Sequence, residues 1–191
     1  MEYIYLEECC EKITDYVASG SFASLKENVL ITNNPNFAIM VKTADFSNGF
    51  TKGLTYTDKK GYEFLSNSNL FGGELLLSNI GSIGKVFIVP NLGCPMTLAS
   101  NSIMVKPKNA TSTKFLYYLF TSNYGQGLLE SISSGTSMKK FNKTSLKKIR
   151  IPEYSLEEQK NIVIDLDNIS QCLSITKNRL LALDELVKWH Y

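Results

Sequence analysis

The chain has 191 residues, of which 43% are apolar and 20% are charged, and its formal net charge is +2. This size and composition exclude a disordered chain and suit one globular domain with an extended segment. No apolar run approaches the ~18 residues needed to cross a bilayer, and the N-terminus lacks the basic and apolar regions of a secretory signal, so we expect a cytoplasmic protein.

The cysteines and the histidine argue against a metal or catalytic centre. Cys9, Cys10, Cys94 and Cys172 show neither a disulfide framework nor a CxxC pair. The one histidine is His190, near the end of the chain, so neither a His-based metal site nor a hydrolytic triad can be assembled credibly around it. We therefore expect no metal in this chain and a reducing compartment.

The small net charge conceals an asymmetry along the chain. Residues 1–152 contain 16 basic and 11 acidic residues, whereas residues 153–191 contain 4 basic and 7 acidic residues. This pattern is compatible with a body that binds a polyanion and a stalk that binds protein.

The first part of the chain predicts short elements separated by turns. Residues 1–20 place apolar side chains at near-helical spacing and predict a short amphipathic helix or a helix-like turn that ends at Gly20. A turn cluster at 32–36 precedes a predicted strand at 37–41. Residues 51–71 predict irregular structure with a short strand or helix.

A β-hairpin is the clearest element in the middle of the chain. Strands are predicted at 74–78 and 86–89, on either side of a glycine-containing turn at 79–85. A further strand is predicted at 98–105, with an interruption at 100–102.

Helical patches follow at 113–119 and 124–132, then a loop at 133–137 and a final strand at 149–152. These elements lack the regular βαβ alternation of a parallel sheet. They predict a mixed α/β (α+β) globular domain.

Residues 155–191 contain neither glycine nor proline and predict one long helix. Ser155 and Glu158 have the spacing of a capping box, just after Pro152. Apolar residues then recur at alternating intervals of four and three, which is typical of a coiled-coil seam. The seam comprises Ile162, Leu166, Ile169, Leu173, Thr176, Leu180, Leu183 and Val187.

A seam of this length has two interpretations: a helix folded back onto its own domain, or a helix that associates with another chain. The sustained 3.5-residue period favours association, because a helix on a globular core more often shows a broader stripe of period 3.6. Thr176 is a polar interruption of the kind that fixes register and partner number. We predict that the seam is a dimer interface.

The turn from Gly81 to Lys85 has three interpretations. It resembles part of a phosphate-binding loop, but Asn79 replaces the first glycine of that motif and Val86 replaces its serine or threonine. A GxxG turn can also clamp a nucleic-acid backbone, because bare amides approach phosphates closely. It can equally be a hairpin turn that requires positive φ.

Residues 139–150 carry six basic residues and no acidic residue. Such a run is either a solvated face or a surface that contacts phosphates. Ser134, Thr136 and Ser137 lie just upstream, and their hydroxyls can donate to phosphates or bases.

Several short motifs follow one another along the chain, and their order is informative. They are Ser78-Asn-Ile-Gly-Ser-Ile-Gly-Lys85, Ala99-Ser-Asn101, Ser134-Gly-Thr136 and Ile149-Arg-Ile-Pro152, with Glu158-Gln159 and Ile162 opening the long helix. In combination they resemble the specificity subunit of type I restriction-modification systems, and the resemblance covers nearly the whole chain.

The resemblance implies two target-recognition domains separated by two long helices that pack as an antiparallel coiled coil. Each domain reads half of a bipartite DNA site through the major groove, and the helices set the gap and bind methyltransferase subunits. Those subunits carry S-adenosylmethionine and methylate adenine, and a motor-nuclease subunit cuts unmodified DNA. The specificity subunit is not catalytic, so the resemblance implies no cofactor in this chain.

This chain has one such domain and one helix, which is half a subunit. We predict a target-recognition domain at 1–152 and a helix for dimerisation and methyltransferase binding at 153–191. A homodimer, which would recognise a palindromic split site, is favoured over pairing with a different half. DNA contacts are predicted at Lys42, Thr43, Asn79, Ser82, Lys85, Asn101, Ser134, Thr136, Ser137, Lys139 and Lys140.

Two other functions stay open at this point. A coiled-coil adaptor with incidental positive charge would bind no specific DNA sequence, even with methyltransferase subunits present. A nucleotide-dependent enzyme would use the turn from Gly81 to Lys85 and would lose turnover in the Lys85→Ala variant.

Overall fold

The computed structural model describes residues 2–81, 83–136 and 138–188. The chain divides into two compact units, Met1–Glu153 and Tyr154–Tyr191. The first unit holds the sheets and most of the helices, and the second consists mainly of one long helix.

Short strands and short helices alternate irregularly in the first unit. The strands are β1 (Tyr3–Tyr5), β2 (Cys10–Asp15), β3 (Ala38–Val41), β4 (Tyr56–Thr57), β5 (Asn69–Leu70), β6 (Leu75–Ser78), β7 (Val86–Ile88), β8 (Met96–Leu98), β9 (Ser102–Pro107) and β10 (Arg150–Pro152). The α-helices are α1 (Phe22–Asn28), α2 (Lys59–Phe64), α3 (Thr113–Thr121), α4 (Asn123–Ser131), α5 (Lys143–Lys147) and, in the second unit, α6 (Leu156–Lys188). Short 3-10 helices occur at Leu6–Cys9, Tyr16–Ser19, Asp45–Asn48 and Ser66–Ser68.

The strands form two four-stranded sheets and a two-stranded ribbon. One sheet has the order β2-β9-β6-β7 and is antiparallel throughout. The other has the order β4-β3-β8-β5, in which β3 and β8 run parallel. The ribbon pairs β1 with β10, so the N-terminal strand lies beside the strand that precedes α6.

A shared core joins the two larger sheets. Val41 of β3 and Leu98 of β8 belong to the same buried cluster as Leu76 of β6 and Met104 of β9. Full burial of an aliphatic side chain of this size contributes about 1.5–3 kcal/mol. Because Leu75, Leu76 and Leu77 are all inaccessible to solvent, β6 is covered on both faces.

The structure confirms the mixed α/β class and the long C-terminal helix. The predicted hairpin is also confirmed, since β6 and β7 pair antiparallel with Leu75 opposite Ile88. The predicted helices near 113–119 and 124–132 correspond to α3 and α4.

The predicted amphipathic helix at 1–20 is wrong, although short 3-10 turns lie within it at Leu6–Cys9 and Tyr16–Ser19. Residues Cys10–Asp15 form β2, which pairs with β9 and places Ile13 opposite Val105. Apolar residues in so short a segment fit both periods, and pairing with a strand about 90 residues away decides the outcome.

The predicted strand at 98–105 is two strands in different sheets, and its predicted interruption at 100–102 lies close to the turn between them. The chain leaves β8 after Leu98 and enters β9 at Ser102. Between them, Asn101 has a φ of 70°, a left-handed conformation that ends a strand.

The α6 helix begins with the predicted capping box. The Glu158 backbone N–H donates to Ser155 Oγ at 3.3 Å, and the Ser155 backbone N–H donates to Glu158 Oε2 at 2.7 Å. The helix has 33 residues and is therefore about 50 Å long. Within the part of the chain that the structure describes, none of the helices combines the length and apolar character needed to cross a bilayer.

The seam of α6 presents an apolar surface along the helix. Ile169, Leu173, Leu180, Leu183 and Val187 each expose more than half of their surface in the single chain. The hydroxyl of Thr176 donates to the Cys172 carbonyl at 2.8 Å, so this polar residue is satisfied within its own helix. Dimerisation through the seam stays a prediction.

The cap of α6 predicts a pH dependence. The Ser155 hydroxyl donates to the Glu158 carboxylate, and so does the Ser155 backbone N–H. These two hydrogen bonds, the hydroxyl's having the larger effect, hold the pKa of the Glu158 carboxyl below its usual value. A carboxyl with a lowered folded pKa stabilises the fold above its unfolded pKa, near 4.3, and this contribution is lost as pH falls through the folded pKa. We expect Glu158→Gln to flatten the loss of helical circular dichroism that sets in as pH falls below the unfolded pKa, near 4.3.

The control for this prediction is Glu157→Gln, which removes the neighbouring carboxylate of the first helical turn. We expect it to retain the acid-dependent loss of the wild type. Identical acid profiles for the two variants would contradict the role of the Glu158 cap.

Candidate nucleic-acid interface

Asn79 joins three loops at one end of the β2-β9-β6-β7 sheet. Its backbone N–H donates to the Asn101 carbonyl at 3.3 Å, which links the β6–β7 turn to the β8–β9 turn. The side-chain amide of Asn79 donates to the Phe141 carbonyl at 3.0 Å, and the backbone carbonyl of Asn79 accepts from the Phe141 N–H at 3.1 Å. The β6–β7 turn, the β8–β9 turn and the segment around Phe141 therefore form one surface, which we call the loop surface.

A small hairpin completes the loop surface. Ser134 and Lys140 exchange backbone hydrogen bonds at 2.9 Å in both directions, and Lys140 also bridges to Ile80 of the β6–β7 turn. Gly135 has a φ of 103°, and an added Cβ would lie 2.5 Å from the Met138 carbonyl oxygen, so this hairpin requires glycine. Thr136 is exposed in the same hairpin.

Gln126 holds the β6–β7 turn against the helices. Its side-chain N–H₂ donates to the Gly84 carbonyl at 2.8 Å and to the Phe120 carbonyl at 2.6 Å. Gly84 has a φ of 83° and sits so close that an added Cβ would lie 2.1 Å from Gln126 Oε1. The role of Gln126 could not be predicted from the sequence, because a glutamine in a helical patch carries no signal of a contact 42 positions away.

The predicted contact residues Lys42 and Thr43 follow β3, next to the β8–β9 turn. The Ala99 N–H donates to the Val41 carbonyl at 2.9 Å, which places the two segments side by side. The amine of Lys42 donates to the Gly53 carbonyl at 2.9 Å and to the Thr55 hydroxyl at 2.7 Å. This amine therefore holds the 42–55 loop together.

Asp45 supports the same loop from within. It is 1% exposed, and its carboxylate accepts from the Lys42 backbone N–H at 2.8 Å. Burial raises the pKa of this carboxyl, against the lowering effect of the Lys42 N–H and amine. The ring of Phe46 stacks on Phe87 of β7 with 4.3 Å between centroids, which fixes the loop to the sheet that carries the loop surface.

The predicted lysines differ in how much of their charge is available. Lys139 forms an ion pair with Glu130, and this contact holds the pKa of the Glu130 carboxyl below its usual value. Lys85 and Lys140 are exposed, and neither forms an ion pair with any residue that the structure describes. Their ammonium groups are therefore available to a polyanion.

The structure thus brings together a subset of the predicted contacts. Hydrogen bonds link Asn79 to Asn101 and Ser134 to Lys140, and the bridge between Ile80 and Lys140 connects the two pairs. Thr136 and Lys139 lie in the joined hairpin, and the Ser78 N–H donates to the Lys85 carbonyl at 2.9 Å. Ser82 and Ser137 lie outside the described residues. Contact of these residues with DNA stays a prediction.

The structure gives the nucleotide interpretation no support. The turn from Gly81 to Lys85 joins two antiparallel strands, whereas a phosphate-binding loop of the Walker type joins a strand to a helix. Among residues 2–81, 83–136 and 138–188, no three His, Cys, Asp or Glu side chains are grouped as a metal site would require.

Comparison with known proteins gives consistent matches. A family model described as the type I restriction modification DNA specificity domain matches residues 3–185. The chain is 29% identical over 114 residues, 60% of its length, to the type I restriction enzyme MjaIX specificity subunit of Methanocaldococcus jannaschii. That alignment covers 26% of the archaeal protein.

Solved structures share the fold. A chain from a study of complex assembly and conformational transition of the type I R-M system matches with a TM-score of 0.64 and 21% identity, over 93% of this chain and 40% of that one. The HsdS subunit of Thermoanaerobacter tengcongensis matches with a TM-score of 0.61 and 19% identity, over 91% of this chain and 38% of that one. The chain therefore spans about two fifths of the length of these two structures.

Proposed function

Because the chain belongs to the family of type I restriction-modification DNA specificity domains, we propose that it is the DNA sequence-recognition subunit of such a system. In this role it directs adenine methylation and restriction at a bipartite site. The observation that carries the proposal is the family match over residues 3–185, which includes both the loop surface and most of α6.

The two units divide the work. Residues 1–152 form the target-recognition domain, and the loop surface enters the major groove of one half-site. The second unit supplies α6, which pairs with a second half-subunit and binds methyltransferase subunits. The exposed apolar seam of α6 supports this role, because a row of aliphatic side chains on a helix is covered in stable assemblies.

The second half-subunit is another copy of this chain. Eight seam positions recur along one helix, and a two-fold dimer through this seam would carry two recognition domains. Such a dimer recognises a palindromic split site. Pairing with a different half-subunit would instead produce an asymmetric site.

The chemistry belongs to partner subunits. Methyltransferase subunits bind S-adenosylmethionine and methylate adenine, and a motor-nuclease subunit cuts unmodified DNA. This chain is a recognition subunit rather than an enzyme. Its place of action is the cytoplasm, where bacterial and archaeal DNA lies.

Reconstitution tests the proposal. The full chain is combined with the methyltransferase subunits of its own cell and S-adenosylmethionine, and a pool of randomised duplex DNA is methylated and sequenced. We expect one split motif that is methylated on adenine and is absent when this chain is omitted. A stable complex that methylates no motif would contradict the proposal and support the coiled-coil adaptor.

A further inference from the structure

We propose that Asn101 reads an adenine base and that Lys85 and Lys140 contact DNA phosphates on either side of it. The inference rests on the proposed function and assigns roles to three of the eleven predicted contacts: one reads sequence and two add affinity alone. Three features of the loop surface carry it: the state of two asparagine side chains, the backbone at Asn101 and the positions of the available lysines.

The two asparagines of the loop surface differ in whether their side-chain amides form a hydrogen bond with the described residues. Asn79 donates its amide to the Phe141 carbonyl, and its side-chain oxygen is buried without a hydrogen-bond donor among the described residues. The side chain of Asn101 is exposed and forms no hydrogen bond within the described part of the chain. Asn79 is therefore a positioning residue, whereas Asn101 presents a complete amide to a ligand.

Hydrogen bonds fix the backbone at and around Asn101, whereas its side chain forms none with the described residues. Its carbonyl accepts from the Asn79 N–H, and on either side of it Ala99 is bonded to β3 and Ser102 pairs with Ser78 of β6. Its φ of 70° lies in the left-handed region, where glycine would be free of strain but would lack the amide. An asparagine amide offers one acceptor and one donor side by side, which match N6–H₂ and N7 of adenine in the major groove.

The available lysines flank this position. Lys140 bridges to Ile80 on one side of Asn79, and Lys85 lies opposite Ser78 on the other side. Because the Asn79 N–H donates to the Asn101 carbonyl, the backbones of both lysines are tied through residues 78–80 to the turn that carries Asn101. Phosphate contacts fix the position of a protein on the duplex and carry no base information.

The test uses the full chain in complex with its methyltransferase subunits. Asn101→Gly keeps the left-handed backbone, so we expect a Tm equal to or above that of the wild type. We expect the methylated motif to become degenerate at one adenine position in each half-site, with discrimination there lower by about 5- to 150-fold. The control is Asn109→Gly, an exposed asparagine beyond the opposite end of β9, which should leave the motif unchanged.

Lysine variants supply the second half of the test. We expect Lys85→Ala and Lys140→Ala each to leave the motif intact and to reduce the slope of log K against log salt concentration by about 0.9. The control is Lys60→Ala, an exposed lysine of α2.

The outcomes separate the inference from the function on which it rests. If the wild-type complex methylates no motif, the proposed function fails and the inference falls with it. If the wild-type motif is clear and Asn101→Gly reproduces it with equal discrimination at every position, the inference alone is overturned. A lysine variant that alters the motif, or leaves the salt slope unchanged, overturns the assignment of that lysine to a phosphate.

Discussion

Leu173→Asp in α6 is expected to abolish the proposed dimer. Leu173 lies near the middle of the seam and is 66% exposed in the single chain. In a paired seam it is buried, and an uncompensated buried charge from each copy would weaken association at least 100-fold. Sedimentation equilibrium of the full chain measures the change, and motif-specific methylation should be lost with it.

The control for Leu173→Asp is Ser174→Asp. Ser174 is the next residue of the same helix but lies off the seam, so the same charge is placed toward solvent. We expect this variant to dimerise like the wild type. A wild-type chain that is monomeric at high concentration, or a Leu173→Asp variant that still dimerises, would contradict association through the seam.

Gly125→Ala is expected to destabilise the recognition domain severely. An added Cβ at Gly125 would lie 2.0 Å from the Leu119 carbonyl oxygen and 2.7 Å from the Phe120 Cα. Both atoms belong to the backbone of α3, so only separation of α3 from α4 can relieve the clash. We expect a loss of about 3 kcal/mol or more in the free energy of unfolding, measured by denaturant titration.

The same helix provides an opposite control. An added Cβ at Gly127 would meet no atom within 4 Å, so Gly127→Ala gains helix propensity without a clash. We expect this variant to be more stable by about 0.5–1 kcal/mol. Equal stability of Gly125→Ala and the wild type would show that α3 and α4 do not pack as described.

The sequence predicted correctly those secondary-structure elements that are determined by residues within the element or directly beside it. The α6 helix was predictable because its cap and its heptad period lie within the segment itself, and the β6–β7 hairpin because its strands adjoin one turn. The N-terminal segment was not, because β2 forms by pairing with β9 at Val105 and its neighbours, far along the chain. The apolar spacing before Gly20 fits a helix as well as a strand.

Several residues of the loop surface could be predicted from the sequence, but not which of their side chains form hydrogen bonds within the fold. The sequence does not show whether the side chain of a lysine or an asparagine forms hydrogen bonds within the protein or is available to a ligand. The Asn79 amide donates to the Phe141 carbonyl, and in the neighbouring 42–55 loop the Lys42 amine donates to the Gly53 carbonyl. Only the fold brings these partners near. For the same reason Gln126 gave no signal, although it determines the position of the β6–β7 turn.

The most direct test of the central claim is single-molecule methylome sequencing of the source cell, with and without this gene. Recognition by this chain predicts the loss of one split motif methylated on adenine, and a homodimer predicts that the motif is palindromic. An asymmetric motif would retain the recognition function and contradict the homodimer. A methylome that is the same in both strains would contradict the claim that this chain directs methylation.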